Sequence, residues 1–177
     1  MKIFISYSHK DENWKNRVTS QLAVLERQGI LEVWEDRRIR TGKEWRPEIE
    51  DALNTCNIAV LLVSPGFLTS GFIMDDEVPC ILKRREKNLM EVFPVIIKPC
   101  PWDSVEWLKK LQLFPKDGKP LMNMSEGEIE NNLVLLAKNI KRLSRATPPA
   151  RRAAKPGMEN RANLPPVQIL PLKHHMP

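Results

Sequence analysis

The run Ile58-Ala59-Val60-Leu61-Leu62-Val63 constrains the fold of this chain more than any other stretch. It is continuously apolar, with none of the in-out alternation of a half-exposed strand, and it is followed at once by turn residues, Ser64-Pro65-Gly66. Such a segment reads as a strand buried on both faces. After the loop through Ser70 comes a helix start with three successive acids, Asp75-Asp76-Glu77.

The remaining chain alternates strands and helices around that run. Lys2–Ser6, Leu31–Trp34 and Val92–Ile97 read as further strands. Pro94 cannot donate to a ladder, so it is expected at a strand start or where no N–H is needed. Trp14, Val18, Leu22 and Leu25 recur at helical spacing, Ser8 with Asp11 suggests a capping box, and Gly29 marks the stop. Thr41 with Glu44 is a second capping box, with Pro47 in the first turn and Ile49, Leu53 and Cys56 as the inner face. The helix begun by the three acids runs to about Lys87, with Val78, Ile81 and Leu82 inward and Lys83, Arg84, Arg85 and Lys87 outward. Trp102–Leu113 is a short helix, 114–120 a turn, and any strand at Leu121 is very short. Ser125 with Glu128 caps a last helix whose stripe is Ile129, Leu133, Leu136, Ile140 and Leu143.

Beyond Ala146 the chain is rich in proline, alanine and arginine, a composition that builds no packed core. The expected organisation is therefore a domain over 1–145 and a tail or linker over 146–177. Much of the net charge of +6 lies in that tail, where Arg151, Arg152, Lys155, Arg161 and Lys173 face one acid, Glu159. This placement argues against the domain being a nucleic-acid reader. No apolar run approaches the roughly 18 to 20 residues of a membrane span, and Met1-Lys2-Ile3-Phe4 enters structure directly, so a cytoplasmic protein is expected. Cys56, Cys80 and Cys100 are odd in number and lack metal-ligand spacing; reduced thiols are expected, with no metal.

Strands alternating with helices imply a flavodoxin-like, doubly wound parallel sheet of four to five strands with helices on both faces, in the order 2-1-3-4-5. Ligands of such sheets bind at the carboxyl ends of the strands where the order reverses, between strands 1 and 3. Residues 7–10, 64–70 and 35–42 lie at that end, and Glu77 borders the crevice. A phosphoacceptor receiver would need acids after strand 1 and an aspartate closing strand 3, but Ser6-Tyr7-Ser8 and Ser64 stand there. No GxGxxG or GxxxxGK[ST] occurs either, which removes the usual phosphate loops.

Three separated motifs carry a family resemblance. Ile3-Phe4-Ile5-Ser6-Tyr7-Ser8-His9-Lys10-Asp11 resembles the first box of a TIR (Toll/interleukin-1 receptor) domain. Trp34-Glu35-Asp36, with Ile39, Gly42 and Trp45, resembles the family's BB loop in its bacterial form. Leu61-Leu62-Val63-Ser64, with Phe67-Leu68, Ser70 and Phe72-Ile73 through Glu77, resembles the stretch that holds the family's catalytic glutamate. The resemblance covers residues 1–143 and leaves the tail outside.

The resemblance implies an NAD+ glycohydrolase, with Glu77 as the catalytic carboxylate, NAD+ as substrate and no cofactor. The products would be nicotinamide and ADP-ribose or a cyclic ADP-ribose, in bacterial defence or signalling. It further implies self-association, or association with other TIR domains, through the BB loop at residues 35–45. The alternative is a non-catalytic adaptor that uses the loop and not Glu77. Ser8, His9, Asp36, Trp45 and Ile73 are the candidate substrate contacts. Ile73 occupies a position, four before the glutamate, where many active members carry an aromatic. Asp75 and Asp76 read as exposed helix-start acids, and Trp34 as core.

Overall fold

The computed structural model describes residues 1–34 and 45–146, the side chains at residues 45, 46, 145 and 146 excepted. Four parallel strands, β1 (Lys2–Ser6), β2 (Glu32–Trp34), β3 (Ile58–Val63) and β4 (Glu91–Ile96), lie in the order β2-β1-β3-β4. Between them run α1 (Glu12–Arg27), α2 (Trp45–Thr55), the single turn α3 (Pro65–Leu68) and α4 (Val78–Glu86). α5 (Glu106–Lys109) and α6 (Glu126–Ala146) follow β4. This is the doubly wound arrangement expected from the sequence.

The apolar run of β3 explains why both faces are covered. All its residues are buried. Ile58, Val60 and Leu62 pack with α1 and α6, on Val18, Leu22, Leu133 and Leu136. Ala59, Leu61 and Val63 point the other way and pack with α2 and α4, on Leu53, Val78 and Ile81. The period of two along a strand thus divides one apolar run between two cores.

Gly29 ends α1 with φ +67°, the left-handed position at which a side chain would be strained. Ser125 and Glu128 form the expected capping box. The Ser125 amide and hydroxyl donate to Glu128 Oε2 at 2.8 and 2.7 Å, and those bonds hold the Glu128 carboxyl below its usual range.

The first capping box is not formed as expected. Ser8 Oγ accepts from the Lys10 amide at 3.4 Å, in a short 3-10 turn (His9–Asp11). The Asp11 carboxylate turns inward instead, because tertiary partners wait for it there. The box at Thr41 and Glu44 lies outside the described residues, as do residues 147–177 of the expected tail.

The sheet's outer edge also differs from expectation. Phe114, placed in a turn by sequence, forms a parallel bridge with Val95: its amide donates to the Pro94 carbonyl, and its carbonyl accepts from Ile96, each at 2.8 Å. The Leu121 segment is a 3-10 turn. Pro94 stands in mid-strand, and its carbonyl faces Phe114. Its nitrogen faces the same outer side, so no bond to β3 is lost. The single helix expected over Trp102–Leu113 is a 3-10 turn (Trp102–Ser104) and α5, with no regular helix beyond Lys109.

Candidate active site

The helix that carries Glu77 is not uniform. From Phe72 to Glu77 the chain forms a π-helical turn, with the Val78 amide donating to the Ile73 carbonyl, and only then continues as α4. Pro79 gives the local reason. It has no N–H to donate, and its ring crowds the carbonyl four residues back, so the helix widens directly before it. Of the three acids, Asp75 and Asp76 are exposed and Glu77 is buried, 6% accessible.

A carboxylate so far from water needs hydrogen-bond partners. Ser6 supplies one: its hydroxyl, at the end of β1, donates to Glu77 Oε2. The carboxylate borders a cleft of about 630 Å³ at the carboxyl ends of β1 and β3. That is the switch point of the sheet, and the volume lies within the range of about 300 to 1,000 Å³ usual for small-molecule sites.

The cleft has two kinds of wall. One is aromatic and apolar. Trp34 stacks on Phe4 with ring centroids 5.2 Å apart, and Phe72, Ile73 and Ile49 continue that surface. The other is a polar rim, with Ser8, His9 and Lys10 from the loop after β1 and Gly66, Thr69 and Ser70 from the segment after β3. These two loops nearly touch. A Cβ on Gly66 would come within 2.8 Å of Ser8 Oγ, so the rim closes only around a glycine. His9 is exposed and meets the Tyr7 ring edge-on at 5.9 Å. Behind Tyr7, the buried Lys15 places Nζ 5.6 Å from the ring centroid. A smaller cavity of about 240 Å³ shares Ile49, Phe72 and Glu77 with the cleft and reaches Cys80.

The structure therefore brings Glu77, Ser8, His9 and Ile73 to one cleft. Asp36 lies outside the described residues; Trp45 opens α2, and its side chain is not described. Three features were not anticipated. Trp34, assigned to the core by sequence, is half-buried and lines the cleft. Ser6 holds Glu77. Asp11 forms a second buried cluster, accepting from Ser64 Oγ at 2.5 Å and pairing with Lys98 Nζ at 2.5 Å. A polar Ser6 closing the apolar run Ile3-Phe4-Ile5 was the available signal for the second of these.

The family profile described as "TIR domain" matches residues 3–127, most of the chain. The chain belongs to the TIR family. It is 36% identical over 158 residues to a Sinorhizobium fredii protein described as "Uncharacterized protein y4lF", covering 86% of this chain and 48% of that protein. The chain thus spans about half the length of this curated relative. Two solved structures share the fold. One is the TIR domain of the Toll-related receptor TRR-2 from Hydra magnipapillata, with TM-score 0.54 and 20% identity over 81% of this chain and 97% of that one. The other is from the TIR domains of the activated Roq1 resistosome that recognises the pathogen effector XopQ. It has TM-score 0.57 and 19% identity over 78% of this chain and 98% of that one. At these identities the likeness to the solved structures concerns the fold. No helix among the described residues is long and apolar enough to cross a membrane. Among the same residues, no group of three His, Cys, Asp or Glu side chains stands close enough to hold a metal ion.

Proposed function

We propose that this TIR domain cleaves the nicotinamide–ribose bond of NAD+ in a self-associated state. The observation that carries the reading is Glu77, a buried carboxylate that borders a cleft of dinucleotide scale with aromatic walls. Nicotinamide in NAD+ is already cationic and leaves as a neutral base, so no general acid is needed to expel it. As the bond lengthens, positive charge develops on the ribose, and a fixed carboxylate beside it stabilises that oxocarbenium-like state. Water then adds to the anomeric carbon and loses a proton, giving ADP-ribose; attack by the adenine of the same molecule gives a cyclic product.

Trp34 and Phe72 offer the faces on which a planar base can stack, although Ile73 occupies the position four before the glutamate. Ser8, His9 and Lys10 place polar and cationic groups at the rim, where the phosphates would emerge. Asp36 and Trp45 are assigned to the substrate side through the BB loop, residues 35–45, which also carries the contact between protomers. The protein is placed in the cytoplasm, with residues 146–177 as tail or linker. With that activity goes our proposal of a role in bacterial defence or signalling.

The test is NAD+ consumption by the purified chain at high concentration, with products separated chromatographically. Nicotinamide release that is lost in Glu77→Ala supports the reading. No consumption, even when the chain is concentrated on beads, favours the second reading, a non-catalytic adaptor binding other TIR domains. The observation on that side is Ile73, 4% exposed and without an aromatic face to offer a base.

A further inference from the structure

The hydroxyl that holds Glu77 comes from an interior part of the fold. Ser6 is 1% exposed and ends β1, a strand paired on both sides, with β2 and β3. It stands in register with Leu61, itself fully buried. Its neighbours Ile5, Tyr7 and Ser8 all line the cleft, whereas Ser6 does not. The Ser6 hydroxyl therefore meets the carboxylate from behind, without a surface of its own for a ligand.

We propose that Ser6 is the positioning residue of the Glu77 carboxylate, fixing one oxygen from the strand so that the group faces the cleft ionised and already oriented. The inference rests on the reading of Glu77 as the group that stabilises a cationic transition state. A hydroxyl donating to a carboxylate favours the charged form, and such charge-assisted bonds are stronger than neutral ones. Orientation set before the reaction costs no reorganisation when charge develops on the ribose. The strand matters as much as the hydroxyl. Glu77 lies on a π-helical turn, and the bond ties that turn to a buried strand hydrogen-bonded to neighbours on both sides.

The experiment compares the full chain with its Ser6→Ala and Ser6→Thr variants. Steady-state NAD+ cleavage is measured across pH, alongside direct observation of the Glu77 carboxyl carbon by ¹³C NMR. His9 and Lys10 at the rim, Asp76 beside Glu77 and Cys80 in the adjoining cavity can all shape a pH–rate profile, so the carbon itself is followed. Ser6→Ala is expected to lower kcat about 10- to 100-fold with KM within about twofold. The acid limb of the rate profile and the Glu77 titration both move to higher pH. Ser6→Thr, which keeps the hydroxyl, restores most of kcat. Wild-type kcat and an unmoved Glu77 titration in Ser6→Ala would overturn the inference while leaving the NADase reading in place. Should the unmutated chain cleave no NAD+, that reading fails and the titration alone decides. A midpoint raised in Ser6→Ala keeps the clamp, and an unmoved one removes it.

Discussion

Among the described residues, two buried carboxylates stand at the carboxyl end of this sheet, and each accepts a hydrogen bond from a buried serine hydroxyl. Glu77 takes Ser6 and Asp11 takes Ser64. Their surroundings then diverge. Asp11, 2% exposed, is paired with Lys98 and does not line the cleft. It joins the loops after β1, β3 and β4. Glu77 is slightly more accessible and lines the cleft. Burial and hydrogen bonding are thus shared by both groups, and what separates them is which one a ligand can reach. The Asp11 cluster holds the frame, while Glu77 faces the cleft.

Removing each carboxylate in turn should separate the two roles. Glu77→Ala is expected to lower NAD+ turnover by about 10²- to 10³-fold or more, with the thermal midpoint within about 5 °C of the parent. A thermal collapse, or unchanged turnover, would put Glu77 on the structural side.

Asp11→Ala should do the reverse. It leaves the Ser64 hydroxyl without its buried acceptor and Lys98 without its partner. Because Lys98 is part-exposed and can turn to water, the expected cost is about 2 to 3 kcal/mol, below that of breaking a fully buried pair. Chemical denaturation measures the loss, and turnover per folded molecule should remain near that of the parent. A loss of turnover without a loss of stability would erase the distinction.

Gly66→Ala tests where the two corners meet, since the new Cβ would press on Ser8 Oγ, with Asp11 Oδ2 3.6 Å away. The rim must open. KM is expected to rise roughly tenfold with a smaller change in kcat, at a stability cost of about 1 kcal/mol. An unchanged KM in steady-state assays would show that the rim does not contact substrate.

The smallest effect concerns Cys56, whose thiol burial pushes up to about 12. Its folded value lies above the unfolded one, and the raised form is the neutral thiol. Stability is therefore unaffected below about pH 8.5, the unfolded value, and falls as pH rises from there toward the folded value. Thiol labelling at pH 8 should reach half-buried Cys80 in the native protein and Cys56 only after unfolding. Rapid native labelling of Cys56 would show that the α2 side of the core opens readily.

Much of this was legible in the chain. The unbroken apolar run of β3, the helical spacing on α1 and α6, the stop at Gly29 and the start at Ser125 are local patterns. Each reports its own secondary structure and which face it buries. Their alternation yields the parallel sheet and its switch point, and the family motifs single out Glu77. The misreadings share one cause. Asp11 follows Ser8 at the spacing of a capping box, yet its carboxylate finds Ser64 and Lys98, far along the chain. Phe114 looks like turn sequence and becomes a sheet neighbour because the Pro94 and Ile96 backbone groups need partners. Trp34 has the composition of core, and its position at the carboxyl end of β2 makes it a wall of the cleft.

Most of the elements and their order could be read along the chain, and a motif in line pointed to Glu77, because these depend on residues near one another. Which serine holds Glu77, and that Asp11 belongs to the frame, emerged only from the folded chain. Those outcomes rest on contacts across 71 residues for Ser6 with Glu77 and 53 for Ser64 with Asp11. No local pattern encodes such pairs; they exist only once the strands have brought their carboxyl ends together.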